Sequence, residues 1–161
     1  MGWYYDTAQI CLNGHVINGA IRKYPEDNSA FCRTCGAQTI TDCPNCNASI
    51  KGNSYGDSFA FSCELKFPNY CENCGKPFPW TEAAIKAAQD LAQELELTPE
   101  EKTSLTGAIE DLVKDNPQTT VSATKFKRLV TKGGAWSLDA FKDILVSVAS
   151  ESAKKILFPG S

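Results

Sequence analysis

Cysteine and histidine residues in the first half of the chain are spaced as metal ligands. Three pairs have the C-x-x-C spacing, and a fourth pair is a C-x-x-x-H that contains the single histidine of the sequence. The four pairs, called knuckles below, are Cys11/His15, Cys32/Cys35, Cys43/Cys46 and Cys71/Cys74. Two ligands this close bind one ion from the same side of a tight turn, whose N–H groups stabilise thiolate charge. Eight ligands predict two tetrahedral sites.

Zinc is the ion that this ligand set favours, because zinc takes four sulfur and nitrogen ligands and does no redox chemistry. An iron–sulfur cluster is the alternative at a site of four cysteines. Four protein ligands leave no position for water or substrate, so we expect two structural Zn2+ ions. The N-terminus MGWYYDTAQI has neither a basic region nor an apolar run, which favours metal binding in the cytoplasm over disulfides in an exported protein.

The order of the ligands predicts how the knuckles pair. Sequential pairing joins the first knuckle to the second and the third to the fourth, and the stretches 16–31 and 47–70 between them are each long enough for a short hairpin. A RING-type cross-brace is the alternative, but it places histidine in the middle of the ligand series. The turns are expected to need left-handed backbone at Gly14, Gly36, Asn47 and Gly75.

Cys63 lies outside the knuckles. It belongs to a segment in which Phe59, Phe61, Cys63, Leu65 and Phe67 alternate with mostly polar residues, which is typical of a half-buried strand. We expect Cys63 to be a small buried hydrophobic residue. A reactive thiol is the alternative, although no adjacent basic residue would lower its pKa.

Helical periodicity replaces the cysteines from about residue 81. The predicted helix starts are Thr81, the Thr98-Pro99 pair with Glu101 in a capping box, and Asn116-Pro117. Gly133-Gly134 is expected to end the third helix.

A fourth helix, the longest, is predicted from an N-cap at Ser137 to Pro159-Gly160. Its apolar stripe consists of Phe141, Ile144, Leu145, Val148 and Ile156. The stripe fits the core of a small bundle, or a docking surface for a partner or a second copy of the chain.

Composition and charge limit the functional classes. The chain has 161 residues, 22% of them charged, with a formal net charge of -3, and no stretch approaches the ~20 apolar residues of a membrane helix. Nucleic-acid-binding zinc ribbons usually carry a basic face, so the acidic balance disfavours that partner. The one basic cluster contains Lys125, Lys127, Arg128 and Lys132. Residues 125, 128 and 132 share a helix face, which is either solvated or binds phosphate.

The aromatic triplet Trp3-Tyr4-Tyr5 precedes the first knuckle. We expect two of its rings to cover the first zinc hairpin, because three neighbouring aromatic residues cannot all enter one small core. The alternative is an exposed contact patch for a protein or an unstacked base.

The sequence holds none of the nucleophile-elbow, P-loop or H-E-x-x-H motifs of common enzyme classes. The single histidine is assigned to the first metal site, which leaves little acid–base chemistry at neutral pH. We therefore expect no enzymatic activity.

Three segments carry a resemblance to a known family: YDTAQICLNGHVIN, FCRTCGA followed by DCPNC, and YCENCGKPFPWTEAAI. They resemble the N-terminal half of an uncharacterised bacterial domain-of-unknown-function family, and the tail ATKFKRLV…DILVSVASESAKKIL is similar to its helical C-terminus. The resemblance implies two zinc ribbons followed by helices, with the eight knuckle residues as ligands and no known enzymatic activity.

These observations predict an α+β protein. Residues 1–80 form a double zinc-ribbon module of short β-hairpins, and residues 81–161 form a domain of three to four helices. The predicted function is a non-enzymatic adaptor for protein–protein interaction or self-association, and nucleic-acid binding is the alternative. The candidate partner-binding residues are Lys125, Arg128, Lys132, Phe141, Ile144, Leu145 and Val148.

Overall fold

The computed structural model describes residues 2–56 and 66–160. The chain divides into two compact units, Met1–Trp80 and Thr81–Ser161. Short strands occupy the first unit, and helices make up the second. This arrangement confirms the predicted α+β fold class. The strand predicted around Cys63 lies outside the described residues.

In the described part of the first unit, five short strands form two antiparallel sheets. The strands are β1 (Tyr4–Thr7), β2 (Gln9–Cys11), β3 (Val16–Asn18), β4 (Thr39–Ile40) and β5 (Lys51–Tyr55). One sheet has the order β3-β2-β4 and the other pairs β1 with β5. Ile10 of β2 is fully buried and lies opposite both Val16 and Ile40. The central strand of the three-stranded sheet therefore contributes a buried core residue.

The stretch 16–31 is long enough for a hairpin but does not form one by itself. That stretch contributes β3 and a 3-10 helix (Pro25–Asp27), and β3 pairs with the preceding β2. The Cys11–His15 knuckle is itself the tight turn of the β2–β3 hairpin, because the Cys11 N–H donates to the His15 carbonyl at 2.9 Å. The hairpin therefore forms around the ligands rather than between them.

The second unit contains the helices. They are α1 (Pro79–Gln93), α2 (Pro99–Leu112), α3 (Pro117–Lys132), α4 (Ala135–Leu145) and α5 (Glu151–Leu157). The predicted caps at Thr98 and Asn116 are confirmed, each with a capping box, whereas α1 begins two residues before Thr81, which is fully buried. No helix in the described ranges has both the length and the apolar character needed to cross a bilayer.

The predicted long fourth helix is wrong, because the segment forms α4 and α5 with a break at 146–150. Ser150 caps α5: its hydroxyl accepts the Ala153 N–H at 3.2 Å, and its own N–H donates to the Leu112 carbonyl at 2.8 Å. Ser137 is buried within α4 instead of capping it, and donates to the Val130 carbonyl at 2.8 Å. A hydrogen bond to α2 thus holds Ser150 at the start of α5, and a hydrogen bond to α3 holds Ser137 in the first turn of α4.

The apolar stripe of this segment lies in the core of the second unit. Phe141 and Leu145 are fully buried, Val148 is 3% exposed and Ile144 is half-buried. The Phe141 ring packs edge-on against Phe126 of α3, with centroids 5.1 Å apart. The burial of Phe141, Leu145 and Val148 favours the interpretation of the stripe as core over that of a docking surface, whereas Ile144 is only half-buried.

Candidate metal centres

The first candidate metal centre, site one, joins the first two knuckles. Cys11 ends β2, His15 precedes β3, and Cys32 and Cys35 lie in the loop before β4. The Nδ1 atom of His15 is 3.5 Å from the Cys11 sulfur and 3.6 Å from the Cys32 sulfur, and the sulfurs of Cys11 and Cys35 are 3.7 Å apart. All four ligand atoms lie within 4.8 Å of one another.

Site two joins the third and fourth knuckles in the same way. The Cys43 sulfur is 3.8 Å from the Cys74 sulfur, and the Cys46 sulfur is 3.7 Å from the Cys71 sulfur. These four sulfurs also lie within 4.8 Å of one another. The structure thus groups the knuckles in sequential order and not as a cross-brace.

The spacing of these atoms fits a single tetrahedral ion. An ion about 2.3 Å from each sulfur and about 2.05 Å from a histidine nitrogen places sulfur atoms about 3.8 Å apart, and sulfur about 3.6 Å from nitrogen. The observed distances of 3.5–3.8 Å agree with both values. A disulfide needs about 2.05 Å between sulfurs, and an iron–sulfur cluster spreads them over several iron atoms.

Backbone turns bring the ligands of each C-x-x-C knuckle together. The N–H groups of Gly36, Asn47 and Gly75 donate at 2.8 Å to the carbonyl of the first cysteine of their knuckle. These three residues have φ values of 72°, 60° and 73°, which confirms the expected left-handed backbone. An isolated antiparallel β-bridge joins the residues before and after each of these turns. The bridges are Phe31–Gln38, Asp42–Ser49 and Tyr70–Pro77.

Within each site, one cysteine has a raised thiol pKa and another has a lowered one. Burial raises the pKa of the Cys43 thiol to about 11 and also raises the pKa of Cys11. The Ala37 N–H and then the Asn13 amide lower the pKa of Cys35 to about 6, and the Lys76 N–H is the main cause that lowers the pKa of Cys74 to about 6. A bound cation would offset the cost of the buried thiolates.

A comparison with protein-family models matches residues 4–157 to an uncharacterized protein conserved in bacteria, DUF2321. The chain belongs to the DUF2321 family. This finding confirms the resemblance to an uncharacterised bacterial family. No curated protein and no solved structure matches the chain.

Asparagine side chains next to the ligands of this DUF2321 chain were not predicted. The Asn13 amide donates to the Cys35 sulfur and the Asn73 amide to the Cys46 sulfur, each at 3.4 Å and each across to the opposite knuckle. Asn45 likewise donates to Cys74 and lowers its pKa. The signal was present in the sequence: asparagine occupies the second position after the first cysteine in three of the four knuckles, and Thr34 occupies it in the other.

The basic cluster on α3 of the DUF2321 chain is smaller than its sequence suggests. Lys132 forms an ion pair with Glu101, and the Lys127 ammonium donates to the Ile156 carbonyl at 3.1 Å. Lys125 and Arg128 remain beside a shallow depression of about 410 Å³. Its other lining residues are Thr120, Val121 and Thr124.

The prediction that the aromatic triplet covers the first hairpin is wrong. Trp3, Tyr4 and Tyr5 are 68%, 57% and 53% exposed. They lie at β1, which pairs with β5 in the separate two-stranded sheet. The alternative of an exposed patch fits the structure of the DUF2321 chain.

Proposed function

We propose that the protein is a non-enzymatic, zinc-binding adaptor of the cytoplasm. The observation that supports this proposal is the closure of both sites: four protein atoms stand at tetrahedral spacing around each ion position. Such sites hold folds together, whereas catalytic zinc keeps an open position. Unbridged thiols at all seven described cysteines suit a reducing compartment.

Zinc is the proposed ion because one histidine with three cysteines, and four cysteines, are common structural zinc sets. A single iron ion bound by four cysteines would give similar sulfur spacing, so metal analysis of the purified chain is the decisive measurement. We expect two zinc ions per chain by mass spectrometry of the elements, with equal loss of both after denaturation with a chelator. Iron, or one ion per chain, would contradict the proposal.

The depression on α3 is the proposed contact surface for a protein partner. Val121 is 52% exposed there, and Lys125 and Arg128 lie beside it. An apolar contact flanked by two cations complements an acidic amphipathic segment. Because Lys127 and Lys132 are already engaged, this face has less charge to offer a polyphosphate than four free cations would have.

Photo-crosslinking in cells tests this surface. A photoreactive phenylalanine analogue at Val121 should give a discrete crosslinked species, and the same analogue at Ala87, an exposed position on α1, should not. V121D should remove the species, and K125E/R128E should weaken it. Equal crosslinking from both positions, or crosslinking unaffected by the charge reversal, would count against the surface. Light scattering on the same variants reports whether the partner is a second copy of the chain.

A further inference from the structure

The two-stranded sheet of the first unit carries aromatic rings and lysines on its surface. Tyr4 of β1 lies directly opposite Tyr55 of β5, and their ring centroids are 5.6 Å apart with planes inclined by 31°. The Lys23 ammonium is 4.1 Å from the centroid of the Tyr55 ring. Tyr4, Tyr55 and Lys23 are called the aromatic platform below.

The reverse face of the sheet has a similar pairing. Tyr5 follows Tyr4 in β1, so its ring points to the opposite side, where the Lys51 ammonium is 5.1 Å from the ring centroid. Lys51 also forms an ion pair with Glu72 at 2.6 Å. The positive charge on this face is therefore largely compensated, and the aromatic platform is the better candidate for an anionic ligand.

Hydrogen bonds hold the backbone of the loop that carries Lys23. The Asp6 carboxylate is 4% exposed and accepts the backbone N–H groups of Arg22 and Lys23, each at 3.2 Å. The Asn18 amide donates to the Tyr24 carbonyl at 2.7 Å. The backbone of the loop is thus fixed near Lys23, so binding would not have to order it.

Close backbone packing joins the same loop to β5. The Asn53 N–H donates to the Gly19 carbonyl at 2.7 Å. A side chain at Gly52 would place its Cβ 2.1 Å from that carbonyl oxygen, so only glycine permits this approach. The platform is therefore assembled by the fold and does not depend on one exposed strand.

We propose that the aromatic platform binds single-stranded nucleic acid. Accessible tyrosine rings on a sheet stack on unpaired bases with little regard to sequence, and an adjacent ammonium pairs with the phosphate backbone. Tyr4 is 57% exposed and Tyr55 is half-buried. Lys23 supplies that charge at the platform, whereas the Arg22 guanidinium donates to the Thr7 hydroxyl at 3.3 Å. The nearby Asp6 carboxylate accepts backbone N–H groups. The chain as a whole is acidic, so this binding depends on the Lys23 ammonium beside the rings.

Lysine also distinguishes nucleic acid from a protein as the occupant. Tyrosine is enriched in both kinds of interface, but lysine is depleted at the centre of protein–protein interfaces. A protein that covered the platform would have to place a carboxylate beside the Lys23 ammonium, because a buried unpaired charge is costly. A nucleic acid brings the anion with it. This inference goes beyond the adaptor proposal, since it concerns a different surface in the other unit.

Fluorescence anisotropy with labelled 12-nucleotide oligothymidine and oligouridine tests the proposal on the full zinc-loaded chain. Y4A/Y55A should weaken binding by about tenfold or more, because two stacking faces are lost, whereas Y4F/Y55F keeps the rings and should bind within about twofold of wild type. K23A should reduce the slope of log affinity against log salt by about 0.7. F31A removes an exposed ring, 63% exposed, elsewhere in the unit and should leave binding unchanged.

Three results would overturn the proposal. One is the absence of binding at 50 mM salt by a chain that carries two metal ions. Another is equal binding by wild type and by a Y4A/Y55A chain with normal metal content, and the third is equal affinity for duplex and single strand. Capture of peptides that depends on Tyr4 and Tyr55 would assign the platform to a protein partner instead.

Discussion

The side-chain amide of Asn73 donates to the sulfur of Cys46, 3.4 Å away in the opposite knuckle of site two. This hydrogen bond is the main cause that lowers the pKa of the Cys46 thiol. Its effect is to stabilise the thiolate, which is the form that binds metal. The bond also ties the fourth knuckle to the third independently of the ion. Asparagine at this position is therefore part of the metal centre.

Replacement of Asn73 should weaken metal binding at site two. We expect N73A to lower the zinc affinity of that site about 10- to 100-fold, as loss of partners to metal ligands usually does. Competition with a chromophoric chelator measures the two affinities. N13A is the matched variant, since Asn13 makes the same contact with Cys35 of site one. If both variants weakened the same site, the assignment of the asparagines to separate centres would be refuted.

Loss of one buried ligand should release one ion. Cys43 is 2% exposed, and C43S should leave one zinc per chain, because the hydroxyl does not replace a buried thiolate as a ligand. Structural zinc contributes on the order of 10 kcal/mol in small domains, so residues 43–80 should become accessible to protease. C11S should release the other ion. Two zinc ions retained in C43S would argue against the sequential grouping.

The helical signal gives an internal control for that experiment. Circular dichroism at 222 nm reports mainly on α1 to α5, whose buried residues such as Leu105, Phe126 and Phe141 lie in the second unit. We expect this signal to persist in C43S. Its loss together with the ion would mean that the helices need the metal centre to fold.

The metal ligands were predictable because their geometry is local. A C-x-x-C spacing fixes two sulfurs on one turn, and glycine or asparagine after it supplies the left-handed residue, whatever surrounds the turn. The start of α2 was predictable for the same reason: Thr98 and Glu101 complete the capping box within one turn. Structural features that depend on only a few consecutive residues can therefore be predicted from the sequence.

Two of the errors, the single fourth helix and the covered aromatic triplet, involve partners distant in sequence. Phe141, Leu145 and Val148 keep helical spacing across the break, so periodicity alone indicates one helix. The break depends on the bond from Ser150 to the Leu112 carbonyl in α2. The exposure of Tyr4 depends on pairing with Tyr55, which the N-terminal segment alone does not specify. Such contacts require knowledge of the tertiary fold.

The cap at Ser150 gives a stability prediction. S150A removes the acceptor of the Ala153 N–H and should lower the free energy of unfolding of the second unit by about 1 kcal/mol, the usual cost of losing a cap. Chemical denaturation followed at 222 nm measures the change. S147A is the matched control, because Ser147 is an exposed serine in the same break and should change stability by less than about 0.5 kcal/mol. A larger effect from S147A than from S150A would place the cap elsewhere.

The ion pair between Glu101 and Lys132 gives a prediction on pH. Hydrogen bonding to the Lys132 ammonium, and to the Thr98 N–H, lowers the pKa of the Glu101 carboxyl below its ordinary value of 4.5. The stabilisation is thus fully present above pH 4.5 and is lost as the pH falls through the lower pKa of the folded state. E101Q keeps a capping-box side chain but has no titrating group. Its stability relative to wild type, measured at 222 nm, should be lowest near neutral pH and should approach parity below pH 4.5. A constant difference across this range would show that the ion pair does not contribute.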